Sequence, residues 1–120
     1  MTDTREFLRT KTLAFAVRIV KLYDYLRQNK QEYIISKQLI RSATSIGANL
    51  AEAQCAISDS DFLAKTYISL KESNESLYWI ELLYKADYIT EKEFYSIYND
   101  CEEIVKILTA ITKKGKRTYL

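Results

Sequence analysis

The 120 residues contain no histidine and no proline, and glycine and cysteine occur only twice each, at 47 and 115 and at 55 and 101. Each shortage excludes something. Without histidine the chain lacks the commonest general base and the commonest imidazole metal ligand. Helical bundles that hold di-iron sites use Glu-x-x-His pairs, which cannot be formed here. Two glycines and no proline leave almost none of the turn chemistry that β-hairpins need. No Gly-rich loop exists to cradle a phosphate, and no apolar run approaches the ~20 residues that span a bilayer. No signal peptide is read ahead of the cysteines. Cys55 and Cys101 are therefore expected to be buried thiols in a reducing cytoplasm, not a disulfide. Cys55 also lacks a neighbouring histidine or cation cluster to lower its pKa, which argues against a catalytic thiolate. An enzyme, a cofactor, a metal, a small-molecule substrate and a membrane are all outside what this composition suggests.

What is present is a chain with 48% apolar residues, enough for one core in one domain. Net charge is only +2, but it is segregated. Residues 1–41 carry nine Lys and Arg against four Asp and Glu; residues 42–104 carry four against twelve; residues 105–120 carry five against none. Such a division marks either a binding surface or neutralisation between helices, within one chain or between copies.

Hydrophobic periodicity predicts four helices. The first spans about Arg5 to Gln28, capped by Thr2, Asp3 or Thr4. Leu8, Phe15, Ile19, Leu22 and Leu26 form one stripe, and Leu13, Val17 and Val20 form another beside it. This apolar arc is wider than a single core seam requires. After a break at Asn29–Gln31, the second helix runs from about Glu32 to Cys55 on a stripe of Ile35, Leu39, Ala43, Ile46, Leu50 and Ala53. Ser58–Asp61 opens the third, which reaches about Ala86 with two parallel seams. Phe62, Thr66, Ser69, Ser73, Ser76, Ile80 and Leu83 make the first; Leu63, Tyr67, Leu70, Asn74, Leu77 and Tyr84 make the second. Thr90 and Glu93 form a capping box for the fourth, whose inward positions are Phe94, Ile97, Cys101, Ile104, Leu108 and Ile111. Short linkers make successive helices antiparallel neighbours. The expected fold is all-α, an antiparallel up-and-down four-helix bundle over residues 1–112. A basic tail, 113–120, follows, with Tyr119 and Leu120 able to dock.

The stretch Arg41–Ala53 is built almost wholly from small residues. At 100° per residue, Arg41, Ser42, Ser45, Asn49 and Glu52 share one arc of about 100°. Ile40, Thr44, Gly47 and Ala51 lie roughly opposite, so most of this helix is suited to contact. Two readings of Asn49 and Glu52 follow: they satisfy polar groups where helices meet, or they bind a ligand directly. Glu72 and Glu75, at i,i+3, read as solvated charges. Lys113, Lys114, Lys116 and Arg117 are the one dense basic cluster, and Arg5, Arg9 and Lys11 fall near the same end of such a bundle. These seven cations are the candidate nucleic-acid contacts, although a basic helix end is equally explained by the helix dipole.

At Ile40–Ala53 the chain resembles the bacterial four-helix-bundle family of 23S rRNA intervening-sequence proteins. The resemblance continues through Asp61-Phe62-Leu63, Ile68–Glu72 and Ser76–Leu83, in the same order over residues 10–110. Many relatives carry Pro at the position of Gly47 and Gly at that of Ala53, departures that bear on local packing. The resemblance implies a cytoplasmic bundle assembling as a ring of five. It also implies kinship with the accessory protein of diversity-generating retroelements, a ring that works with a reverse transcriptase and nucleic acid. Two functions of different class are consistent with all of this. One is an oligomeric scaffold that binds a protein partner or only itself, with Arg41, Ser45, Asn49 and Glu52 as structural polar positions. The other is a nucleic-acid-associated ring with weak, salt-sensitive contacts through its basic ends.

Overall fold

Three local breaks divide the chain. Gln31 takes a left-handed backbone conformation (φ 52°), and the Glu32 amide reaches back to the Leu26 carbonyl at 3.0 Å. Asp87 does the same (φ 67°) after the third helix, where Tyr88 N–H donates to Leu83 O and Asp87 N–H to Tyr84 O. That paired pattern closes a helix C-terminus and satisfies carbonyls left over by the last turn. Between them, Ser58 accepts from the Asp61 amide and starts a new helix. In the computed structural model, which describes residues 4–117, these breaks yield α1 (Thr4–Lys30), α2 (Ile35–Ala53), α3 (Asp59–Lys85) and α4 (Glu91–Lys113). The expected caps at Thr2 and Asp3 and the docking of Tyr119 and Leu120 lie outside the described residues.

Each helix packs on the next, α1 on α2, α2 on α3 and α3 on α4, and α4 closes the circuit on α1; neither diagonal pair comes as close. The result is an up-and-down bundle of 44 × 24 × 22 Å. The inward stripes read from periodicity form its core: Phe15, Ile19, Leu26, Leu39, Ala43, Ile46, Phe62, Ile80, Leu83, Cys101, Ile104 and Leu108 are all buried. Ile89, in the α3–α4 connection, joins them.

The α2–α3 seam is the tightest because its facing residues are small. Ser42 and Ser76 share a hydroxyl–hydroxyl hydrogen bond of 2.8 Å, and Ser69 Oγ donates to the Ile46 carbonyl at 2.8 Å. These bonds across the seam leave no buried hydroxyl of the three without a partner, which would cost about 1–3 kcal/mol each. The α1–α4 contact is the lightest and is bridged by charge. Lys11 Nζ lies 3.2 Å from Glu103 and 3.6 Å from Asp100, and Arg18 pairs with Asp100 at 3.2 Å. Here the basic first segment meets acids of the middle segment inside one chain.

Candidate functional site

Three surfaces gather the residues singled out from the sequence. The first is the polar line of α2. Arg41 reaches across to α3, pairing with Glu72 at 3.1 Å and also with Glu75, whose carboxylate accepts from the Trp79 indole N–H at 3.0 Å. Ser45 Oγ donates to the Arg41 carbonyl and Asn49 Nδ2 to the Ser45 carbonyl, both within the helix. Glu52, exposed, pairs with Lys65 at 3.1 Å. Arg41, Ser42 and Glu52 of this line bridge to α3, while Ser45 and Asn49 serve their own backbone. The reading of Glu72 and Glu75 as solvated charges is corrected: Glu72 is buried and both are held by Arg41. Cys55 is corrected too. It lies exposed in the turn after α2, whereas Cys101 is buried, with its thiol directed at the Ser73 carbonyl and its pKa pushed up to about 12 by burial, with Asp100 and Glu102 adding to the effect.

The second surface is a groove of about 780 Å³ between α1 and α2. Its floor is Leu8, Thr12, Gly47 and Leu50, and its walls include Leu13, Thr44, Ala48 and Ala51. Gly47 matters here, because a Cβ on it would meet Thr12 Oγ1 at 3.3 Å. Thr12 is already fixed by its bond to the Leu8 carbonyl at 2.7 Å, so the two helices approach closely at this point. Beside the groove Leu13, Val17 and Val20 remain 55%, 46% and 42% exposed. The second stripe of α1 thus lies outside the core.

The third is the bundle end shared by the start of α1, the α2–α3 turn and the end of α4. Lys113, Lys114 and Lys116 are exposed there, as are Arg5 and Arg9 on α1. Lys11 and Arg117, among the seven candidate cations, are turned to partners within the fold. Lys11 is held by Asp100 and Glu103. Arg117 donates to the Ala56 carbonyl at 2.7 Å and lies over the Phe62 ring.

One functional-looking residue escaped the sequence reading. Glu32, buried just before α2, accepts hydrogen bonds from the backbone amides of Ile34, Ile35 and Ser36 at 3.1, 2.9 and 2.7 Å. Burial pushes its carboxyl pKa up, but these amides and the Ser36 hydroxyl outweigh burial and hold it below the ordinary value. The Ncap residue itself, Ile34, offers no side-chain cap, so Glu32 does that work from two residues upstream.

Among the described residues no three His, Cys, Asp or Glu side chains cluster as metal ligands would, and no helix is long and apolar enough to cross a membrane. No curated protein matches the sequence. A crystal structure of a protein of unknown function, from the S23 ribosomal protein family of Bacteroides thetaiotaomicron VPI-5482, is similar to this chain. The two share 50% sequence identity and a TM-score of 0.89 over 91% of this chain and 97% of that one. Residues 8–110 match the family described as 23S rRNA-intervening sequence protein. With the four helices in place over that whole span, the chain belongs to the 23S rRNA-intervening sequence protein family.

Proposed function

We propose that this chain is a non-enzymatic, self-assembling bundle that works in the cytoplasm as a scaffold or interaction module. The observation that carries the reading is the band of Leu13, Val17 and Val20, about half exposed beside the α1–α2 groove. Fully burying each such side chain is worth about 1.5–3 kcal/mol, and a second copy would supply the missing half of that burial. Five copies is the number that the family resemblance implies. In this reading residues 1–112 form the assembling unit and 113–120 a basic extension. Arg41, Ser45, Asn49 and Glu52 then keep α2 in its place for assembly and do not bind a ligand. Light scattering during size exclusion tests it: a mass several times 14.0 kDa is expected.

A second reading, weak contact of such a ring with RNA or DNA, is favoured by the exposed Lys113, Lys114 and Lys116 at the end that also carries Arg9. Repetition around a ring would gather these charges, and binding would fade steeply with added salt. A partner protein, such as a reverse transcriptase, would then share the nucleic acid.

A further inference from the structure

At the opposite end of the bundle, the α1–α2 corner combines features that neither reading uses. The Arg27 guanidinium lies 5.0 Å from the centroid of the Tyr23 ring and 5.0 Å from that of Tyr33, so one cation joins the last turns of α1 to the connecting segment. Tyr33 nevertheless stays 49% exposed, and Ile34 beside it is 77% exposed. Lys30 and Lys37 flank the pair, and both are exposed. Neither has a carboxylate partner among the described residues, in contrast to Lys11, Arg18 and Arg41. The acids nearby in sequence are Asp24 and Glu32, and Glu32 is buried on its three backbone amides.

The corner is also rigid. Gln31 turns the chain, Glu32 ties Ile34, Ile35 and Ser36, and Ser36 Oγ donates back to the Glu32 carbonyl at 2.9 Å. The Tyr33 backbone lies between these fixed points and its ring lies against Arg27, which lowers the ordering cost of presenting the ring. A fixed aromatic ring with an open side, with a cation three residues before it and another four after, is suited to stack a base while neighbouring phosphates meet the cations. An acidic protein segment would use the charges but would have no need of the ring.

We propose that this corner binds single-stranded nucleic acid, with Tyr33 and Ile34 as the stacking surface, Lys30 and Lys37 as phosphate contacts, and Arg27 holding the Tyr33 ring in position. The site shares no residue with the band of Leu13, Val17 and Val20 and lies at the end away from the basic tail. A labelled, mixed-sequence RNA strand titrated against the full chain at two salt concentrations tests it. Tyr33→Ala should weaken binding about fivefold or more, the lower range for loss of one stacked base, and Tyr33→Phe should bind like the parent. An abasic strand of the same length should bind the parent as poorly as intact RNA binds Tyr33→Ala. Replacing Lys30 and Lys37 with Gln should flatten the dependence of log affinity on log salt by about 1.4. Should Tyr33→Ala fail to fold, Tyr33→Phe and the abasic strand still decide the matter. The proposal is overturned if no RNA binds, if the abasic strand binds as well as the intact one, or if polyglutamate competes as well as RNA. Loss confined to Gln replacements of Lys113, Lys114 and Lys116 also overturns it, placing contact at the other end. The oligomeric mass measured alongside is unaffected by any of these results, so failure here is separable from failure of the assembly reading.

Discussion

Removing the Glu32 carboxylate should cost more than its place in a connecting segment suggests. In Glu32→Ala three backbone amides, of Ile34, Ile35 and Ser36, lose their acceptor at once. Ile34 is exposed and water can replace its partner, but Ser36 is buried and its amide is the shortest of the three bonds, at 2.7 Å. Loss of a helix cap costs about 0.5–2 kcal/mol, and a buried amide left unpaired adds to it. A total of about 2 kcal/mol is expected, or roughly 8 °C in Tm for a domain of this size. The effect has a definite pH dependence. The folded-state pKa of Glu32 is lowered from 4.5, so the folded chain binds this proton less readily than the unfolded one. Its contribution is therefore complete above the unfolded value and is lost as pH falls through the lower folded value. Thermal melts followed by far-ultraviolet circular dichroism should show the parent well above Glu32→Ala at neutral pH and the gap closing in acid. A gap under about 2 °C at neutral pH, or one that persists undiminished below the folded pKa, would refute the capping argument.

Two further outcomes follow from the interior. Arg41→Met leaves Glu72 buried without its ion partner; because Arg41 itself is half exposed, the loss should be about 1–2 kcal/mol in urea unfolding, not the larger figure for a fully buried pair. Adding Glu72→Gln should recover part of it, and a double variant as unstable as the sum of the singles would contradict the pairing. Thiol titration should find Cys55 reacting in the native protein, while Cys101, buried and with its pKa pushed up to about 12, reacts only on unfolding. Two fast equivalents in the native state would show that the α3–α4 core opens.

The parts of this fold visible in the sequence are those set by local chemistry. The Ser58 cap, the Thr90–Glu93 capping box and the inward stripes depend on residues three and four apart, and each appears in the structure. Periodicity starts α2 at about Glu32, whereas the helix begins at Ile35. Here the chain has already turned at Gln31, and the side chain folds back onto the helix from outside. Glu72 departs from expectation for a different reason. Periodicity places it at the margin of the core, and its partner Arg41 lies on another helix, which no pattern within α3 can reveal. Residue type and a helix reaching Cys55 place that thiol in the interior, yet α2 ends at Ala53 and leaves it in a turn. The corner of Tyr23, Arg27 and Tyr33 depends on the angle of one connection, information that spacing does not hold.

The wide apolar arc of α1, legible from sequence, is also where the account is most exposed to test. Light scattering during size exclusion of the full chain, at micromolar concentration, should give a mass near five times 14.0 kDa. Val17→Asp, which puts a charge on the exposed side of α1 without touching the buried stripe, should shift that mass toward 14.0 kDa while leaving the helical signal intact. A parent that elutes as a clean 14.0 kDa monomer, or a Val17→Asp variant that assembles like the parent, would contradict the claim that this face joins copies of the chain.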